Sequence, residues 1–229
     1  MNDKINILLA EDDKNLGIIL HSFLSKNNFC VQWCRDGIDA IEKYRKKDFD
    51  ILLIDIMMPN LDGFAMAKII RKNDERTPII FLTAKNSQHD IQQGFELGAD
   101  DYVVKPFNMD ELISRINAIY RRVHNNVTKQ NIFCLSSYTF DSVRHVIIRN
   151  GVETKLTSRE LDLLYILCEH KNQVVERSLI LDKIWHQCNV FNARNMDVYI
   201  AKLRKIFHGD SNIEIVNVHG VGYKLIVKD

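Results

Sequence analysis

The residues of this chain with the clearest chemical potential are acids that follow short apolar runs. The apolar run 51–54 ends in Asp55, and an earlier run ends in Glu11, Asp12 and Asp13. A carboxylate is costly to remove from water unless it is paired, so a charge inside an apolar stretch needs a partner. If the two runs form neighbouring parallel strands, at least three carboxylates meet at one edge of the sheet, where such sheets bind ligands.

A carboxylate cluster of this kind favours a divalent cation. Like charges raise each other's pKa unless a cation neutralises them, and Mg²⁺ prefers oxygen ligands while keeping room for water and phosphate. Beside Mg²⁺, an ionised Asp55 is a nucleophile toward phosphorus. Thr83 and Lys105 end two further apolar runs, and a hydroxyl and an ammonium at the same edge would bind phosphoryl oxygens. The alternative is a set of surface acids that cap helices, and we assign that role only to Asp13.

The elements that position these residues alternate along the first half of the chain. Apolar runs predict five strands, at 5–10, 29–34, 51–54, 79–84 and 102–104. Amphipathic stretches predict five helices between and after them, at 15–26, 37–46, 63–72, 88–97 and 109–122. Regular alternation of this kind predicts an α/β domain with a parallel sheet and helices on both faces. The polar segment 121–131 lacks periodicity and is interpreted as containing a linker.

The second half has a different pattern. It opens with alternating strands and a turn at Asn150-Gly151, which is typical of a hairpin. Thr157 and Glu160 have the spacing of a capping box and predict the start of a helix. Further helices at 176–186 and 194–208 precede a final hairpin.

The helix 194–208 has two distinct faces. Apolar residues recur at helical spacing on one face and predict burial: Met196, Ile200, Leu203 and Phe207. The opposite face is basic with small apolar residues: Arg194, Val198, Ala201, Lys202 and Lys205. A solvated face is the default interpretation, but cations and alkyl groups also suit the DNA major groove. The hairpin with Gly220 and Gly222 follows directly and would touch an adjacent minor groove.

Composition excludes several classes of protein. Apolar residues make up 46% of the 229 residues, which excludes collagen-like and disordered chains. Asp55 splits the longest apolar stretch, whereas a membrane-spanning helix needs about 20 such residues. The N-terminus lacks a signal-peptide layout, so a cytoplasmic protein without membrane contact is expected. The five cysteines lack CxxC spacing, which disfavours a zinc site or disulfide frame.

Four motifs together resemble the receiver domain of bacterial response regulators: "AEDD", "IDIMMPNLDGF", "LTAK" and "GADDYVVKPF". The resemblance covers residues 4–122 and implies a doubly wound, flavodoxin-like sheet in the order 2-1-3-4-5. It implies phosphorylation of Asp55 by a sensor histidine kinase. Mg²⁺ would be held by Asp12, Asp55 and the Met57 carbonyl, with Glu11 assisting through water.

Further roles follow from the same resemblance. Thr83 and Lys105 would contact the phosphoryl group, and Tyr102 matches the switch aromatic that turns inward when Thr83 moves. Pro106 matches a cis-proline.

The segments "LTSRELDLL", "RNMDVYIAKLRKI" and "VHGVGYKL" resemble the winged helix-turn-helix effector domain of the OmpR/PhoB family. We therefore expect a receiver domain at 1–122, a linker at 123–130 and an α+β DNA-binding domain at 131–229. The resemblance implies a transcription regulator, not an enzyme, that binds double-stranded promoter DNA as a dimer and works with RNA polymerase. The expected DNA-contacting residues are Arg194, Val198, Lys202, Lys205, His219 and Tyr223. Lys202 and His219 stand where arginine is usual, so operator preference cannot be transferred from relatives.

The resemblance also implies a homodimer through the fourth helix, fifth strand and fifth helix. Residues expected at this interface are Ile91, Phe95, Asp100, Asp101, Glu111, Arg115 and Arg122. Ile91 stands where a basic partner of Glu111 is usual. Ile91 and Phe95 are four residues apart and share a helix face, so we expect them to enlarge the apolar part of the contact.

Three other functions fit the sequence less well. A haloacid-dehalogenase-type hydrolase would need a second acid two residues after Asp55, where this chain has Met57. A regulator that works without phosphate usually lacks part of the acid cluster, which is complete here. A pure protein-interaction module is disfavoured by the basic helix and the hairpin that follows it.

Overall fold

A computed structural model of the chain describes residues 4–84, 88–124, 131–185 and 190–228, with only the backbone described at 88–89, 124, 185 and 190–195. The chain divides into two compact units, Met1–Asn125 and Asn126–Asp229. Among the described residues, no helix has the length and apolar character needed to cross a membrane.

The first unit is an α/β domain in which strands and helices alternate. Its strands are β1 (Asn6–Ala10), β2 (Cys30–Cys34), β3 (Ile51–Asp55), β4 (Ile79–Thr83) and β5 (Asp101–Val104). Its helices are α1 (Lys14–Lys26), α2 (Gly37–Tyr44), α3 (Gly63–Arg71), α4 (Gln88–Glu96) and α5 (Met109–His124). All strands pair in parallel, in the order β2-β1-β3-β4-β5. The predicted sheet order is confirmed, and every predicted element is present with ends within two residues.

The centre of this sheet is apolar because helices cover both faces. All five residues of β3 and all five of β4 are buried, which explains why these runs are continuous instead of alternating. Strand β1 lies between β2 and β3. This order places the residues that follow β1 beside the end of β3, and it therefore brings the acids together.

The second unit is an α+β domain with two antiparallel sheets. A four-stranded sheet contains β6 (Ile132–Leu135), β7 (Tyr138–Asp141), β8 (Val146–Arg149) and β9 (Val152–Lys155). Three helices follow: α6 (Ser158–Glu169), α7 (Arg177–Trp185) and α8 (Val190–Phe207). The second sheet has the order β10-β12-β11, formed by β10 (Val174–Glu176), β11 (Ile213–Val218) and β12 (Gly222–Val227).

Local sequence signals in this unit are confirmed. Asn150 and Gly151 both have positive φ (50° and 78°) in the turn between β8 and β9, as a two-residue hairpin requires. The Thr157 N–H donates to the Glu160 carboxylate at 2.9 Å, which is one half of the predicted capping box. The apolar face of α8 is buried as predicted, with all four side chains at most 2% exposed.

Two features of this unit differ from the sequence prediction. Helix α8 begins at Val190, four residues before the predicted start, although Asn192 is a residue type that favours the N-cap position. Strand β10 was not predicted, since three residues are too few to show periodicity. It forms because Val174, Val175 and Glu176 pair with β12.

Candidate functional site

The acids at the edge of the parallel sheet converge as the sequence predicts. Glu11, Asp12 and Asp55 each offer a carboxylate oxygen, and these oxygens lie within 4.8 Å of one another. Glu11 is fully buried and Asp55 is 5% exposed, while Asp12 is half-buried. The convergence follows from the pairing of β1 with β3, which places Ala10 opposite Ile54.

Lys105 neutralises part of this negative charge. Its Nζ lies 2.7 Å from Glu11 Oε2 and 2.7 Å from Asp55 Oδ2. Burial alone would lower the pKa of Lys105, but the hydrogen bonds and charges of the two carboxylates outweigh it and raise that pKa. Burial, reinforced by the charge of Asp55, raises the pKa of Glu11 to about 7 despite the hydrogen bond from Lys105. One ammonium therefore does not balance three carboxylates.

The donor set fits Mg²⁺. It consists of carboxylate oxygens with residual negative charge, and hard oxygen ligands of this kind suit a small divalent cation. Met57 follows β3 directly, and its N–H donates to Asp55 Oδ1 at 3.1 Å. This hydrogen bond holds the Asp55 carboxylate against the loop whose Met57 carbonyl is the expected third direct ligand.

Thr83 and Tyr102 lie on the adjacent strands β4 and β5. Thr83 is fully buried at the end of its strand, and its side chain is hydrogen-bonded to Tyr102. The Tyr102 ring is half-buried and lies 6.3 Å from the Phe81 ring and 6.5 Å from the Phe95 ring, measured between centroids. Burial raises the pKa of Tyr102 to about 12, so its hydroxyl stays protonated and available for hydrogen bonding.

Two smaller predictions at this edge are confirmed. Asp13 is the N-cap of α1, where its Oδ1 accepts from the N–H groups of Asn15 (2.8 Å) and Leu16 (2.9 Å). The Lys105–Pro106 peptide bond is cis.

Sequence reasoning missed Trp33, which contacts the acidic loop. Its indole Nε1 donates to the Glu11 carbonyl at 2.9 Å. The signal that would have indicated this contact is Gly17, a glycine inside the otherwise regular helix α1, where glycine is unfavourable.

The charged residues expected at a dimer interface are paired within one protomer. Asp100 is 1% exposed; its Oδ1 lies 2.5 Å from Arg122, and its Oδ2 accepts from the Ile79 N–H at 3.0 Å. Arg115 lies 2.9 Å from Asp101 and 2.6 Å from Glu111. Their expected role between protomers stays a prediction, and it would require these pairs to exchange partners.

The expected apolar contribution of Ile91 and Phe95 to that interface stays a prediction, and in this structure neither side chain is at the surface. Both side chains lie inside the domain, at 6% and 1% exposure. They do share a face of α4, but that face packs inward, where Phe95 approaches Tyr102. Their shared face therefore adds no exposed apolar surface.

The outward face of α8 carries three of the residues expected to contact DNA. Lys205 is exposed and Val198 is half-buried. Lys202 is held by α6, because its Nζ lies 3.2 Å from Glu160 Oε1 and 5.4 Å from the Tyr199 ring centroid. Arg194 lies on the same helix, but its side chain is outside the described residues.

The hairpin after α8 carries the last two expected residues. His219 is exposed beside Gly220, whose φ of 72° is left-handed. Tyr223 is 3% exposed; its hydroxyl accepts from Arg177 at 2.6 Å and is hydrogen-bonded to Asp197. Tyr223 therefore joins the hairpin to α7 and α8, and the prediction that it faces DNA is corrected.

Comparison with known proteins agrees with the structures of both units. Residues 7–117 match the model of the response regulator receiver domain. Residues 151–225 match that of the C-terminal domain of transcriptional regulatory proteins. The chain is 44% identical over 230 residues to the transcriptional regulatory protein RprY of Bacteroides fragilis, covering 100% of this chain and 98% of RprY.

Solved structures show the same likeness. A mutant of RitR superposes with a TM-score of 0.77 at 26% identity, covering 98% of this chain and 100% of that one. DrrB, described as an OmpR/PhoB homologue from Thermotoga maritima, covers the same shares at 26% identity and a TM-score of 0.52. With its parallel sheet order, its acidic edge and its C-terminal domain of antiparallel sheets and helices, the chain belongs to the OmpR/PhoB family of two-component response regulators.

Proposed function

We propose that a sensor histidine kinase phosphorylates this protein on Asp55, and that the phosphorylated protein dimerises and binds promoter DNA to regulate transcription. The observation that carries the proposal is the contact of one ammonium with two carboxylates: Lys105 bridges Glu11 and Asp55 at 2.7 Å each. A phosphoryl group on Asp55 would offer new anionic oxygens to Lys105 and to the Thr83 hydroxyl. Such preorganised donors stabilise charge as it develops during transfer.

Magnesium belongs to this proposal as the cofactor. Asp12, Asp55 and the Met57 carbonyl would hold the ion, with Glu11 assisting through water. When bound, Mg²⁺ would neutralise charge on the incoming phosphoryl group. The charge balance supports this assignment, because three converging carboxylates share the single ammonium of Lys105.

The second unit supplies the output. We propose that α8 enters the major groove with Arg194, Val198 and Lys205, that Lys202 reaches a base once it leaves Glu160, and that His219 approaches the adjacent minor groove. Double-stranded promoter DNA and RNA polymerase are the proposed partners, and the cytoplasm is the proposed location. We keep the domain limits 1–122, 123–130 and 131–229, with α5 extending to His124. The protein would act as a regulator whose covalent chemistry is limited to its own Asp55.

Asp55→Asn tests the phosphorylation site. Asparagine has nearly the same shape but cannot form an acyl phosphate, so we expect no labelling by acetyl phosphate in Mg²⁺ and no phosphodonor-dependent gain in DNA affinity. Asp62→Asn is a matched control: Asp62 caps α3 through the Ala65 N–H, and asparagine caps helices equally well. It should be labelled like the wild type.

Other outcomes would overturn the proposal. Full labelling of Asp55→Asn would exclude this phosphoacceptor. Steady release of phosphate from a generic phosphoester would favour the hydrolase alternative. An affinity for DNA that does not change when a phosphodonor is added would favour a phosphate-independent regulator.

A further inference from the structure

We infer that Trp33 is a positioning residue for the magnesium-binding loop, an inference that rests on the proposed function. Trp33 lies on β2, beside the acidic edge but outside the set of ligands. Its indole N–H donates to the backbone carbonyl of Glu11 at 2.9 Å. That carbonyl belongs to the peptide unit that joins Glu11 to Asp12, so the indole holds the backbone between two of the three acids.

The loop is held from both sides at this point. The Glu11 N–H donates to the Cys34 carbonyl at 3.0 Å, while the Glu11 carbonyl accepts from Trp33. Residues 33 and 34 of β2 therefore hold both peptide units that flank Glu11. Glu11 Oε1 in turn accepts from the Asp13 N–H at 3.3 Å, and Asp13 caps α1.

Asp12 depends on this arrangement more than its neighbours do. Lys105 fixes the Glu11 carboxylate and the α1 N-terminus fixes that of Asp13. Asp12 is half-buried, and its backbone is fixed by the peptide unit that Trp33 holds. Loss of the indole donor would free that peptide to rotate and would leave the carbonyl without this partner. Metal ligands need such support, because small losses of orientation weaken binding.

Gly17 supplies an independent observation for the same contact. A Cβ at this position would lie 2.2 Å from Cζ2 and 2.3 Å from Cε2 of the Trp33 ring. Glycine is costly inside a helix, and here it leaves the space that the indole occupies. The indole Nε1 would lie 2.7 Å from the same Cβ. Phenylalanine has no counterpart of Nε1 or of the nearest atom, Cζ2. Gly17 and Trp33 are therefore coupled, because the indole occupies the space that a side chain at position 17 would need.

The test is a double-mutant cycle that reads Mg²⁺ affinity in the full chain by isothermal titration calorimetry. Trp33→Phe keeps an aromatic ring but removes the N–H donor, and we expect it to raise the Kd for Mg²⁺ about two- to tenfold, the range for one hydrogen bond. Gly17→Ala keeps the donor but displaces it, and should raise the Kd similarly. In the Trp33→Phe background, Gly17→Ala should add no further increase, because Cζ2 and Nε1 are gone.

Two controls separate positioning from general stability. Trp185→Phe, in the other unit, should leave the Kd unchanged. Urea unfolding without Mg²⁺ measures the stability of each variant, since a purely structural role would lower the midpoint and leave the Kd of the folded protein unchanged. If Gly17→Ala does not fold, the comparison of Trp33→Phe with wild type still decides.

The outcomes distinguish this inference from the proposed function. Absence of saturable Mg²⁺ binding by the wild type would overturn the proposed cofactor and this inference with it. Normal wild-type binding, with an unchanged Kd in Trp33→Phe, would overturn the role of Trp33 alone. Independent, multiplicative effects of Gly17→Ala and Trp33→Phe would also overturn the coupling.

Discussion

The ion pair between Lys202 and Glu160 sets up a direct test of how α8 reads DNA. Lys202 is on the proposed DNA-reading face, yet its Nζ lies 3.2 Å from Glu160 Oε1. The other Glu160 oxygen accepts from the Thr157 N–H. DNA binding would therefore require Lys202 to leave a carboxylate that is itself fixed at the start of α6. The informative substitutions are Lys202→Ala and Glu160→Gln.

The two substitutions should affect stability unequally. The Lys202 side chain is 27% exposed and that of Glu160 is 9% exposed. Removing one partner of a buried pair costs about 3–5 kcal/mol, whereas an exposed pair contributes about 0–1 kcal/mol. Lys202→Ala leaves a fixed carboxylate with little water, so we expect an intermediate loss of about 1–3 kcal/mol in the free energy of unfolding. Glu160→Gln should cost less than about 1 kcal/mol, because the freed ammonium can turn to solvent.

Their effects on DNA binding should have opposite signs. Lys202→Ala should weaken binding to a selected duplex by about 1–3 kcal/mol and reduce discrimination against a scrambled one, as expected for a base contact. Glu160→Gln should tighten binding by up to about fivefold, since DNA no longer competes with the carboxylate. Lys205→Ala is the matched control: it should weaken both duplexes alike and reduce the salt dependence, as loss of a phosphate contact does.

The measurements are urea unfolding and fluorescence anisotropy with a duplex selected from a random pool by the wild type. Equal destabilisation by Lys202→Ala and Glu160→Gln would show that the difference in burial between the two side chains does not determine how much each substitution lowers the free energy of unfolding. Weaker DNA binding by Glu160→Gln would show that Lys202 is an anchor for α8, not a reader of bases.

Two further predictions concern a buried side chain of α4 and a carboxylate of α8. Because Ile91 is buried, Ile91→Ala should lower the free energy of unfolding by about 2–5 kcal/mol, measured by urea titration; an effect near zero would mean that α4 exposes this side chain. For Asp197, burial alone would raise the pKa, but the hydrogen bonds from Arg177 and Tyr223 outweigh it and lower the pKa from its ordinary 3.8. A carboxylate whose pKa is lowered by folding stabilises the folded protein above its ordinary pKa, and this contribution is lost as the pH falls through the pKa of the folded state. Asp197→Asn removes this titration. The variant should therefore lose less stability than the wild type below about pH 4, measured by circular dichroism. An unchanged acid profile would contradict this.

The sequence predicted the receiver half well because its signals are local and strong. Continuous apolar runs identified strands buried on both faces, and the acid that interrupts one run indicated the site. The pairing of β1 with β3 then followed from the resemblance to the family. Trp33 escaped notice because a hydrogen bond from a side chain to a backbone carbonyl 22 residues away leaves no periodic signal.

Predictions about surfaces were weaker, for a physical reason. Spacing of four residues shows that Ile91 and Phe95 share a face of α4, but it does not show whether that face packs inward. Similarly, the basic character of Lys202 suggests contact with DNA, yet a carboxylate on another helix already holds its ammonium. Tyr223 lies in a glycine-rich hairpin that suggested exposure, while Arg177 and Asp197 draw its hydroxyl inward. In each case, tertiary packing decides the outcome.

The buried position of Phe95 links the proposed phosphorylation of Asp55 to the position of helix α4. Thr83 is hydrogen-bonded to Tyr102, and the centroid of the Tyr102 ring lies 6.5 Å from that of Phe95 on α4. Gly94 is also close, since a Cβ there would lie 3.3 Å from the Tyr102 ring. A phosphoryl group on Asp55 that draws Thr83 toward it would break the hydrogen bond between Thr83 and Tyr102. A shift of the ring would then change its packing against α4, because closely packed interiors transmit such movements to their neighbours. The side chains that the sequence assigned to the dimer surface would thus act from inside the domain, by setting the position of α4.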